Sequence, residues 1–197
     1  MNKIGYTYLH LTAALVITAV SSENPLSTSL VVSVVGVILQ FVLLFLILAS
    51  KPGPYKYFLF FLFCVLIGQT IAPIVQQAKA RGVLREVLAS VGGIFLAMTI
   101  VGFVDNQNFL GFGGYLLAAL IGLIVARIGL IIAKLGDPDS TDFSKANTAL
   151  NWFATVLFAI FIAYDTQRLK VSKDKNYVNS SLGLFLDIIN LFNSQAD

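Results

Sequence analysis

The run Phe41-Val42-Leu43-Leu44-Phe45-Leu46-Ile47-Leu48 is apolar on every side, whether wound as a helix or drawn out as a strand. A surface helix keeps a polar face, and a membrane barrel strand alternates apolar and polar residues over about ten positions. This run does neither. Others like it recur along the chain, long enough to cross a hydrocarbon layer about 30 Å thick. Only 12% of the 197 residues are charged and 57% are hydrophobic, whereas a soluble domain carries about 25% charged residues. The chain is therefore read as an integral membrane protein. Helices are the way such segments satisfy their backbone groups in lipid.

Apolar stretches bounded by charge, Gly/Pro or Ser/Asn clusters predict seven spans: Ile4 to Val20, Ser29 to Ser50, Tyr57 to Gln77, Val87 to Val104, Phe112 to Ala133, Ala149 to Asp165 and Tyr177 to Phe192. The longest connection, Lys134 to Thr148, is too short for a soluble domain. The expectation is one all-α transmembrane domain over residues 1–197, with its chemistry inside or at the edge of the bilayer. Lys3, the following apolar stretch and Ala19-Val20-Ser21 imitate a secretory leader. Tyr6, Tyr8 and His10 dilute its core, so the segment is read as a span.

Seven spans place the termini on opposite sides, and basic residues choose the orientation. An N-terminus inside puts Lys3, Lys51, Lys56, Arg168, Lys170, Lys173 and Lys175 on the cytoplasmic side, against Lys79, Arg81, Arg85, Lys134 and Lys145 outside. The densest cluster lies between the last two spans, which favours a cytoplasmic N-terminus.

Charges within spans are the informative residues, because each costs at least about 2.5 kcal/mol at mid-membrane unless paired or hydrated. Asp165 closes the predicted sixth span and Asp187 sits within the seventh. Both lie eleven positions from Asn176, the midpoint of the connecting hairpin, so at 1.5 Å per residue they reach the same depth. If their side chains converge, two carboxylates in a low dielectric share one proton and titrate as a pair. Deprotonated, they are hard oxygen ligands suited to transient Ca²⁺ binding, with Asn190, carbonyls and water completing the shell. The alternative is that both are polar glue between helices. Asp187, Asn190 and Ser194 share one helical stripe, while Leu182, Phe185, Leu186, Ile189 and Phe192 take the apolar side.

The remaining polar residues have plainer readings. Arg127 is expected to snorkel to the outer interface or to pair with Glu86. His10 is expected to hydrogen-bond within the bundle, and the lone Cys64 to fill space. Gln40, Gln69, Thr70, Gln76 and Gln77 either line a polar interior or stitch helices together. Gly92-Gly93 and Gly111 to Gly114 are read as close helix contacts and a turn. No phosphate-cradling loop, HExxH or Gly-x-Ser-x-Gly is present, and His10 is the sole histidine. Neither an enzyme nor nucleic-acid binding is expected.

Two segments carry a resemblance: Tyr164-Asp165-Thr166-Gln167-Arg168-Leu169, and Leu184-Phe185-Leu186-Asp187-Ile188-Ile189-Asn190-Leu191-Phe192. Together they resemble the signature of the Bax inhibitor (transmembrane Bax inhibitor motif) family. Gly68-Gln69-Thr70-Ile71-Ala72-Pro73 is similar to that family's Gly-x-Thr-x-x-Pro pattern. The resemblance implies seven helices with the last one central, a pH-sensitive Ca²⁺ leak, and suppression of cell death with regulatory protein partners. It implies that Asp165 and Asp187 are the pH-sensing pair; Gln69, Thr70 and Asn190, from the residue pattern itself, are candidate pore or helix-lining residues. It further implies a basic latch on the first aspartate, at the end of the second span. Lys51 stands at that place after Ser50, where some relatives have Arg, and a lysine is a point charge without the arginine fork.

Three functions remain open on these residues: a pH-gated Ca²⁺ leak channel, a non-conducting regulator acting through protein partners, and a proton-coupled Ca²⁺ exchanger. In each, Ca²⁺ is a permeant or regulatory ion and no cofactor is held permanently.

Overall fold

A computed structural model of the chain describes residues 2–25, 30–104, 108–136, 141–173 and 176–196. Ser29 and Lys175, which enter the span and topology expectations, lie outside them. All the described regular structure is helical: α1 Lys3–Glu23, α2 Leu30–Ala49, α3 Pro54–Ala80, α4 Leu84–Phe103, α5 Gly113–Gly136, α6 Thr141–Val171 and α7 Tyr177–Ala196, with a 3-10 turn at Phe109–Phe112 before α5. Five of them (α1, α3, α4, α5 together with its preceding turn, and α6) are long and apolar enough to cross a membrane, and α2 contributes the shorter apolar stretch Val34–Ala49. The sixth expected span grows at both ends. Residues 141–148 and 166–171 continue the helix past the apolar segment, so Asp165 sits inside α6 and not at its end.

The helices fall into two compact units, 1–86 with 171–186, and 87–170 with 187–195. In the first, the Asn2 side chain caps α1 by accepting from the Gly5 amide at 2.9 Å. Pro54 opens α3 at a position where a missing N–H costs nothing. α1 and α3 meet at Gly68, where a Cβ would stand 2.5 Å from the Thr18 carbonyl oxygen and 2.7 Å from Ser21 Cβ. Small residues at such crossings let backbones approach. Thr18 Oγ1 donates to the Cys64 carbonyl at 3.0 Å and Ser21 Oγ to that of Val65 at 2.8 Å. The first half of α7 joins this unit. Phe185 meets Phe60 and Phe63 edge-on, Tyr177 stacks on Tyr6, and Ser181 Oγ donates to the Thr7 carbonyl at 2.9 Å. Lys3 Nζ donates to the Ser172 carbonyl at 3.1 Å, so the N-terminus and the α6–α7 connection share one end of the unit. At the other end, Lys79 pairs with Glu23.

In the second unit α4 and α6 cross at Gly102, where a Cβ would lie 2.6 Å from the Ala163 carbonyl oxygen and 2.8 Å from Thr166 Cβ. Gly113 makes a similar approach to the Tyr164 hydroxyl. The expected contacts at Gly92 and Gly93 are not made, for a Cβ at either meets open space.

α7 differs from the other helices. None of its residues, 177–196, is exposed, and it is too polar to count among the apolar spans. Buried or half-buried along its length, it can carry Asn, Ser and Asp that a lipid-facing helix could not.

Candidate functional site

Asp187 lies on α7 with 6% of its surface exposed. Its Oδ2 is buried and has no hydrogen-bond partner among the described residues. Asp165, half-buried on α6, belongs to the same unit and lies within electrostatic reach of Asp187. The structure thus places on α6 and α7, within one unit, the two acidic residues that the sequence pointed to. Arg168, one turn further along α6 and exposed, is within electrostatic reach of Asp165. No cluster of three or more acidic, His or Cys side chains suited to a metal occurs among the described residues. Two carboxylates alone fill a small part of a Ca²⁺ shell of six to eight oxygens. Such a pair suits an ion in passage better than a resident one.

The end of α6 that carries Asp165 is fastened on several sides. Gly102 of α4 presses against Ala163 and Thr166. Gln167 Oε1 accepts from the Leu110 amide at 3.1 Å, and Lys170 Nζ donates to the Phe103 carbonyl at 3.1 Å, taking up an acceptor at the end of α4. Thr166 is fully buried, with its Oγ1 unpartnered among the described residues. These positioning residues carried little signal in the sequence. A glycine in an apolar run does not show which face meets a neighbour, and Gln167 and Lys170 read as interface residues.

The other candidates lie elsewhere. Gln69 and Thr70 sit on α3 in the first unit. Gln69 Nε2 donates to the Ser21 carbonyl at 2.7 Å and its hydroxyl at 2.9 Å, and Gln40 Nε2 bonds the Leu66 carbonyl at 3.0 Å and the Thr70 hydroxyl. These contacts stitch α1 and α2 to α3. Gln76 and Gln77 are exposed. Asn190 is half-buried on α7, one turn beyond Asp187. Lys51 is exposed in the turn between α2 and α3, whereas Lys56, counted in the sequence as a surface charge, is fully buried with Nζ donating to the Ser50 carbonyl at 3.0 Å. A lone lysine between tyrosines gives no sign of that burial. Arg127 Nη2 donates to Asn151 Oδ1 of α6 at 2.6 Å. His10 Nδ1 lies 2.6 Å from the Tyr6 carbonyl oxygen and its ring stacks on Tyr57, while Cys64 is buried in the core.

The family described as "Inhibitor of apoptosis-promoting Bax1" matches residues 2–194. "Bax inhibitor 1" of Schizosaccharomyces pombe is 32% identical over 152 residues, covering 77% of this chain and 54% of the relative. "Inner membrane protein YbhL" of Escherichia coli K12 is 30% identical over 149 residues, covering 68% of this chain and 58% of the relative. The match therefore spans a little over half the length of these relatives. Its breadth along this chain, together with seven helices of which five are apolar enough to span, means that the chain belongs to the Bax inhibitor family of multi-pass membrane proteins.

Proposed function

We propose that the chain is a pH-sensitive Ca²⁺ leak channel of the Bax inhibitor type, working as one membrane domain with its N-terminus in the cytoplasm and contributing to Ca²⁺ homeostasis and suppression of cell death. The observation that carries the reading is Asp187, buried with an unpartnered carboxyl oxygen and within reach of Asp165. A helix-glue aspartate would spend both oxygens on neighbours. Here one oxygen is left for a proton or a cation. With the proton shared, the pair holds a single negative charge and binds Ca²⁺ weakly; with the proton lost, two charges meet the ion. Lys51, standing where the family has its basic latch, is the residue assigned to holding the closed state, and Asn190 offers a neutral oxygen one turn from Asp187.

The test is Ca²⁺ flux into proteoliposomes across a pH series, with proton movement followed in parallel. A Ca²⁺ flux that falls with acidification, without obligatory proton counterflow, is expected. Absence of flux at every pH would leave a non-conducting regulator, and strict counterflow would make the protein an exchanger.

A further inference from the structure

A cavity of about 460 Å³ opens among α4, α6 and α7. Six polar residues line it: Ser90 on α4, Thr148, Asn151 and Thr155 on α6, and Ser194 and Gln195 on α7. The hydroxyls of Thr155 and Ser194 bond one another at 2.9 Å, tying α6 to α7, and the Arg127 guanidinium holds the Asn151 amide from α5. This wall is built into apolar helices. Thr148 to Thr155 lie within the membrane-crossing stretch Phe143–Val171, and Ser90 within that of α4. Ser90 and Gln195 add polar groups to the same space, and a polar-lined space of this size favours water or a polar guest. Ser194 and Asp187 are seven residues apart on α7, so they share a face two turns apart, about 10.5 Å along the axis. Asn190 lies between them on the same stripe.

We infer that this cavity is the non-cytoplasmic vestibule through which a partly hydrated divalent cation passes to and from Asp187. The inference rests on the leak reading. Neutral hydroxyl oxygens and the Gln195 amide oxygen can replace some of the ion's hydration shell. None of the lining residues bears a carboxylate, and a guanidinium stands behind Asn151, so the ion is passed on and not trapped. Conduction needs that balance between entry and release. Affinity is left to the acidic pair, while the vestibule governs access.

The test places a single cysteine at Thr155 in a Cys64→Ala background, in proteoliposomes loaded with a Ca²⁺-reporting dye. A cationic, membrane-impermeant methanethiosulfonate is added from the side opposite Ser172. Thr155→Cys should be modified, and modification should cut Ca²⁺ flux several-fold while the remaining flux keeps its pH dependence. Leu96→Cys, on an exposed apolar face of α4, should leave flux unchanged under the same treatment. If Thr155→Cys is not modified, or is modified without loss of flux, the vestibule is overturned while the leak stands. A Cys64→Ala background that carries no flux at any pH, as the unsubstituted chain also fails to do, overturns the leak reading and the vestibule with it.

Discussion

The unpartnered oxygen of Asp187 is informative because burial alone would be satisfied by any hydrogen bond. In the pair with Asp165, proton and Ca²⁺ compete for the same oxygens, which sets the sign of the pH effect. As pH falls the proton is retained, so half-saturation of the flux should shift to higher Ca²⁺. Asp165→Asn and Asp187→Asn should each abolish most of that shift. The double variant should be little worse than either, because residues that act as a unit are not additive. Summed losses in flux assays would assign them separate roles. At Lys51 the expected effect is small. An exposed ion pair contributes about 0.2–1 kcal/mol, so Lys51→Ala should raise basal leak by no more than about fivefold. An unchanged basal rate would remove Lys51 from the gate.

Among the elements, α6 shows best what hydropathy reports. The apolar pattern marks where a helix crosses lipid, and it ended the sixth span at Asp165 because charges follow. The helix itself continues to Val171, since no Gly or Pro interrupts it and Gln167 and Lys170 find partners at the neighbouring helix end and turn. The existence of all seven helices was thus readable from residues such as Phe41 to Leu48. Their surroundings were not readable, because Gly92, Gly93 and Gly102 look alike in sequence and differ only in what faces them. That difference can be measured. Gly102→Ala pushes a methyl into the Ala163 carbonyl and Thr166. It should destabilise the protein in detergent by about 1–3 kcal/mol and disturb the pH response through Asp165. Gly93→Ala, facing open space, should be neutral or stabilising by up to about 1 kcal/mol. Equal thermal shifts for the two would contradict the crossing at Gly102.

For the whole molecule, the orientation we propose rests on the basic residues, and the contact between Lys3 and Ser172 puts the N-terminus and the α6–α7 connection at one end of their unit. Cysteines placed at Ser172 and at exposed Arg81, in the Cys64→Ala background, should react with impermeant reagents from opposite faces. Reaction from the same face would break the seven-span parity.

The absence of any exposed residue along α7 also bears on how the protein is made. A segment carrying Asn179, Asp187, Asn190 and Asn193 partitions poorly from the translocon into lipid, where a central aspartate alone opposes insertion by about 2.5–3.5 kcal/mol. It emerges from the ribosome after α1 to α6 and needs the surfaces they supply. Fused alone between glycosylation acceptor sites, α7 should slip through to the far side. Within the whole chain it should halt in the bilayer, so its integration is a late and conditional step of biogenesis that mutations in the earlier helices can block.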